Sequence, residues 1–238
     1  MKVKLELGEV ARIKLNRPEK KNALDSEMLQ DLRRAVDEVA SSDARVLVLS
    51  GEGDTFCAGL DIGLLTSFAS MDEEEFRQAL EFVQKLIIDI RNLEIPIIAA
   101  VQRYAIGGGM QLALAADIRL ATPGTVFYLR EPEFGIIPDM GALYILPRLV
   151  GDGVAKELVF TRKRITAEEA KQLGLVNAVC EDLESCVDEY VRKILEVPKH
   201  VLSEAKKAIE HSWNESFEEN MRRAAEAQMR CFRKLKGL

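Results

Sequence analysis

Three consecutive glycines, Gly107, Gly108 and Gly109, lead almost directly into the apolar stretch "LALAA", Leu112 to Ala116. Glycine at these places removes every side chain between the backbone and whatever approaches it. A chain that turns from strand to helix here exposes unpaired N–H groups at the positive end of the helix. Phosphate chemistry matches poorly. A dinucleotide loop, G-x-G-x-x-G, needs glycine where Leu112 stands, and a P-loop needs Lys and Ser/Thr where Met110 and Gln111 stand. The better match is a set of amides aimed at one oxygen that gains negative charge in a dry site. A second glycine turn, "FCAGLDI", Phe56 to Ile62, also follows an apolar strand, so each turn can supply one N–H. On the triplet alone, tight helix–strand packing explains the glycines equally well. Proton carriers are limited: the chain has 2 histidines, His200 and His211, both in a late charged segment, so carboxylates are the obvious carriers.

The elements that would position these groups follow from periodicity. "EVARIKL", Glu9 to Leu15, alternates with Ala11, Ile13 and Leu15 on one face, as a half-buried strand should. Asp25 can cap a helix running to about Ala40, with Met28, Leu29, Leu32, Val36 and Val39 on one stripe. "RVLVLSG" reads as a buried strand ending at the first glycine turn. Asp72 to Asn92 reads as a helix, with Phe76, Leu80, Val83, Leu86, Ile87 and Ile90 at helical spacing. "PIIAAVQ", after Pro96, reads as a strand ending at the glycine triplet, and "DIRLA" and "VFYL" as further short strands. The last third is nearly all helical. An α/β core with a helical C-terminal region follows.

Composition bounds the partners. The 238 residues are 47% hydrophobic and 30% charged, enough for a sizeable core. A net charge of −6 argues against nucleic acid or an anionic membrane as the main partner. No apolar run is long enough for a transmembrane helix, and the charged, alternating N-terminus does not read as a signal peptide, so a cytoplasmic protein is expected. Cys57, Cys180, Cys186 and Cys231 lack CxxC spacing and are expected as thiols without a disulfide frame. No metal site is expected.

The segments "LNRPEKKNAL", "FCAGLDI", "IPIIAAVQRYAIGGGMQLALAADIRLA", "FGIIPDMGALYILPRLVG" and "ITAEEAKQLGLVNAV" resemble, in order and spacing, the crotonase superfamily, which holds the enoyl-CoA hydratases and isomerases. The resemblance spans Val10 to Val179. It implies a spiral of β-β-α units over residues 1–180, a helical trimerisation region over 181–238 that is shorter than usual, and a homotrimer or dimer of trimers. It implies an acyl-CoA thioester substrate, with coenzyme A entering as part of the substrate and no separate cofactor. Its oxyanion-hole amides correspond to Leu60 and Gly108. Two such donors stabilise an enolate, each worth roughly 3–4 kcal/mol in the transition state.

The resemblance also bears on the reaction. Hydratases of the family use two glutamates. The first corresponds to Gln111, whose amide can orient a water but not take its proton. The second corresponds to Glu131 without gaps, or to Glu133 if the loop is shorter by two residues; as bland alternatives both are solvated loop charges. Asp139 stands where certain Δ3,Δ2-enoyl-CoA isomerases carry an acid, and it is also well placed to cap the following helix. Loss of the first glutamate favours a double-bond shift in fatty-acid metabolism, with hydration of trans-2-enoyl-CoA as the alternative and a non-catalytic acyl-CoA-binding relative as a further one. The coenzyme would lie against Lys21, Ala23, Ala58, Asp61 and Ile62. Cys57 reads as a small core residue. Arg103 replaces a glycine common in the family, and either lines the pocket or points outward. Trp213 and Phe217 are expected to pack on the core or a partner.

Overall fold

The structure is a computed structural model that describes residues 1–237. Six strands form the main sheet in the order β1-β2-β3-β4-β6-β9. These are β1 (Val3–Glu6), β2 (Val10–Leu15), β3 (Val46–Gly51), β4 (Ile97–Val101), β6 (Ile118–Ala121) and β9 (Ala178–Val179). Only β1 and β2 pair antiparallel in this sheet; the remaining neighbours run parallel. A second sheet joins β5 (Tyr104–Ile106), β7 (Val126–Tyr128) and β8 (Ile165–Thr166).

Alternation along the strands divides the main sheet between two apolar layers. Leu47, Leu49, Ile97, Ala99 and Val101 face the larger cluster, which includes Met28 and Leu32 of α1 (Ser26–Ala40) and Leu86 and Ile90 of α3 (Glu73–Arg91). Val46, Val48, Ile98, Ala100 and Leu120 face Val187 and Val191 of α8 (Leu183–Leu195). Both faces are covered, which is why β3 and β4 read as unbroken apolar runs. Asp25 caps α1 as the sequence predicts, accepting from Met28 N at 2.9 Å, and Asp72 forms a capping box with Glu75 at the start of α3.

The crossovers include α2 (Ile62–Phe68), α4 (Gly108–Leu114), α5 (Ala142–Val150), α6 (Asp152–Phe160) and α7 (Ala167–Gln172). The chain ends in α9 (Lys199–His211) and α10 (Phe217–Leu235), pinned together by Asn220 on Ala208 O at 3.0 Å and by Arg230 on Glu204 at 2.7 Å. No helix among the described residues is long and apolar enough to cross a membrane.

Three sequence expectations are corrected. The strand after Pro96 stops at Val101, and the separate strand β5 in the second sheet carries the chain into the glycine triplet. Asp139 does not cap α5: its N-cap is Gly141, at φ +96°, which has no side chain to cap it. Cys180 and Cys186 are joined as a disulfide, so only Cys57 and Cys231 are free.

Candidate active site

The two glycine turns are stitched to each other by their backbones. Cys57 N donates to Tyr104 O at 3.0 Å and Ile106 N donates to Cys57 O at 3.0 Å, a parallel bridge between the first turn and β5. Their approach is too close for side chains. A Cβ on Gly59 (φ +93°) would lie 2.6 Å from Ile106 O, and one on Gly109 would lie 2.4 Å from Cys57 O. At the junction the Gly59 Cβ position stands 3.5 Å from Gly108 N, and the Gly108 Cβ position 3.6 Å from Leu60 Cγ.

Neighbouring amides in both turns are occupied. Gly59 N reaches Cys57 Sγ at 3.5 Å, Asp61 N donates to Leu24 O at 2.9 Å and Gly107 N donates to Tyr128 O at 2.6 Å. Leu60 N and Gly108 N, the pair the family resemblance points to, donate to no protein acceptor among the described residues. Both residues line a cleft whose walls also include Ala58, Ile62, Leu65, Glu131, Phe134 and Ile136. All of α4 is buried, so the amide end of this short helix opens toward the cleft while its body is dry.

Gln111 projects from α4 and is buried. Its Nε2 donates to Glu131 Oε1 at 2.7 Å, and its Oε1 accepts from Ala142 N at 3.3 Å. A Cβ on Gly107 would come within 3.2 Å of Glu131 Oε1. Glu131 is 7% exposed, and its Oε2 has no hydrogen-bond partner among the described residues. Burial, and then the charge of Asp139, push the Glu131 carboxyl above its ordinary value against the hydrogen bond from Gln111. Asp139 is half-buried, close enough to act on Glu131, and not among the residues lining the cleft.

Glu133 faces another way. It accepts from Tyr128 Oη and from Arg130 Nε at 2.8 Å, contacts that hold its carboxyl below the ordinary value. Both glutamates sit on one 3-10 turn, Glu131–Phe134. With three residues per turn, side chains two apart diverge by about 120°.

The residues expected to hold the coenzyme come together on one ridge. Ala58 N donates to Lys21 O at 3.0 Å, and Leu24 N donates to Gly59 O at 2.8 Å. Lys21 and Ile62 are exposed, while Ala23 and Ala58 are partly so. The Asp61 side chain is committed to the scaffold: it accepts from Gly63 N at 2.8 Å as the cap of α2 and from Arg17 at 2.7 Å, which holds its carboxyl low. Arg17 and the fully buried Asn22, which organise this ridge, escaped the sequence reading. Asn22 binds Thr55 O at 2.6 Å and Arg17 N at 2.8 Å from a left-handed backbone, φ +54°. Lys21-Asn22 ahead of a helix was the available signal.

Other expectations resolve simply. Cys57 is buried, and burial pushes its thiol up to about 12, which leaves it inert. Arg103 is exposed and pairs with Asp54, so it points outward. Trp213 packs on the core against Tyr144, 5.5 Å between centroids, whereas Phe217 is 77% exposed.

A parallel-rich sheet with two glycine turns meeting over a dry helix start defines the crotonase class of α/β folds. The chain belongs to the enoyl-CoA hydratase/isomerase family, whose sequence model matches residues 6–236. It is 41% identical over 172 residues to Bacillus subtilis YngF, provisionally named an enoyl-CoA hydratase/isomerase; that match covers 71% of this chain and 65% of the relative, less than two thirds of its length. It is 34% identical over 228 residues to the crotonyl-CoA hydratase of Syntrophomonas wolfei, covering 94% of this chain and 85% of that one. Among solved structures it resembles a Thermobifida fusca protein, provisionally named an enoyl-CoA hydratase and determined in complex with CoA. The TM-score is 0.88 at 31% identity, with 100% of this chain and 95% of the other covered.

Proposed function

We propose that this protein binds an enoyl-CoA thioester and moves its double bond from the 3,4 to the 2,3 position. The observation that carries the reading is the buried Glu131: among the described residues its only side-chain partner is an amide, Gln111, that can orient a proton but not accept one. Leu60 N and Gly108 N would bond the thioester oxygen. Asp139, the more exposed carboxylate, takes a proton from C2, and the electron pair passes into the dienolate held by those amides. Glu131, whose carboxyl burial raises above its ordinary value, returns a proton to C4. The C3=C4 bond becomes C2=C3, and solvent-side exchange returns the proton from Asp139 to Glu131. Two carboxylates in unlike environments divide the acid and base roles in this way. Lys21, Ala23, Ala58, Asp61 and Ile62 form the ridge for the coenzyme, with Asp61 acting through the scaffold.

Hydration of trans-2-enoyl-CoA is the second reading, favoured by a relative named crotonyl-CoA hydratase. Assembly into trimers through residues 181–238 belongs to the same proposal, supported by apolar side chains left exposed along α10, Met221 at 55%, Met229 at 52% and Leu235 at 83%.

Incubation with cis-3-enoyl-CoA and trans-2-enoyl-CoA panels tests the assignment. Conjugated trans-2 product from the cis-3 substrate is expected. Formation of 3-hydroxyacyl-CoA from trans-2 substrates, with no turnover of cis-3 substrates, would overturn it in favour of hydration.

A further inference from the structure

Asp139 lacks the structural role its position suggests. It follows Pro138 and precedes an apolar helix, yet α5 starts at Ala142 and takes no cap from Asp139. Among the described residues its one side-chain hydrogen-bond partner is Gln84, whose Nε2 lies 3.4 Å from both Asp139 O and Asp139 Oδ2. Gln84 belongs to α3, and the same helix touches the next residues of the turn: a Cβ on Gly141 would meet Ile87 Cγ2 at 3.5 Å. One helix therefore braces the Asp139 backbone, its carboxylate and the following glycine.

The chemistry of the brace suits a base. A Lys or Arg in its place would add a full positive charge and weaken the carboxylate as a proton acceptor, whereas a neutral amide fixes one oxygen at little electrostatic cost. With Oδ2 held, Oδ1 stays available. Gln84 is only partly buried and bonds no other residue through its side chain among those described, so it carries little of the fold itself.

We propose that Gln84 is a positioning residue that aims the Asp139 carboxylate at the substrate. The proposal rests on the reading that Asp139 moves a proton. Misaiming a catalytic group, with the substrate site intact, lowers kcat and leaves KM unchanged.

The test is a double-mutant cycle of Gln84→Met with Asp139→Asn, with Gln84→Ala as a second probe of the same side chain. Isomerase kcat and KM and the melting temperature are measured for each. In the otherwise wild-type protein Q84M and Q84A should lower kcat about tenfold, with KM within about twofold and melting unchanged. In the D139N background, measured at high enzyme concentration, Q84M should change kcat less than twofold, because nothing is left to aim. Wild-type kcat in Q84M, or the same tenfold loss in both backgrounds, would overturn the role of Gln84. Full activity in D139N alone would instead remove Asp139 from the reaction, and the inference with it.

Discussion

Gln111 and Glu131 are joined inside the protein, Nε2 to Oε1 at 2.7 Å, with both side chains buried and the second glutamate oxygen left without a partner. The amide end of Gln111 is fixed by its other contact, to Ala142 N, so the donor points at Glu131 and cannot swing away without freeing a buried backbone amide.

Replacing Gln111 by Glu sets two carboxyls at hydrogen-bonding distance, where one proton is shared between them. A water can then be held by one and deprotonated by the other. The Gln111→Glu variant is expected to gain 3-hydroxyacyl product from trans-2-enoyl-CoA while its double-bond shift falls at least about tenfold. Product analysis by mass reads both.

Glu131→Gln keeps the shape of the site and removes the proposed proton carrier. Turnover should fall by about 10²–10⁴, while the protein becomes more stable at neutral pH. The sign follows from the raised Glu131 carboxyl. Such a group favours the folded state fully below its unfolded value, near 4.5, and that contribution is lost as pH rises toward the folded value. Denaturant midpoints should therefore separate between wild type and Glu131→Gln as pH rises from 4.5, and converge below it.

Gly59→Ala tests the turn that presents Leu60 N. The new Cβ would sit 2.6 Å from a backbone oxygen at a φ of +93°. Stability should drop by about 1–3 kcal/mol, and kcat by about 10²–10³ as the first amide loses its aim. Chemical denaturation with parallel kinetics separates the two effects.

Native protein treated with iodoacetamide near pH 8 should be alkylated at Cys231 and spared at Cys57, whose thiol burial pushes to about 12. Peptide mapping reads the sites. Alkylation of Cys57 without unfolding would show that its pocket opens.

Most of the framework was legible in the chain itself. A period-2 pattern marked β2, an unbroken apolar run marked β3 and period-3.6 patterns marked α1 and α3, and Asp25 announced its helix, because these signals arise between near neighbours in sequence. Strand β5 escaped because its three residues are held by pairing with β7, not by local preference. The Asp139 cap failed because Gly141 turns the chain before the helix begins. The choice between Glu131 and Glu133 was open in sequence, and the 3-10 turn decides it by sending the two side chains apart.

By itself, then, the sequence determined which backbone turns and which acids and amides were available, since glycine freedom, capping and periodicity are properties of short stretches. Only the tertiary structure decided which of them meet. Cys57 pairs with Ala105, Gln111 finds Glu131 across 20 residues and Gln84 reaches Asp139 across 55. Such contacts depend on how distant segments close over one core, and no local preference encodes that closure.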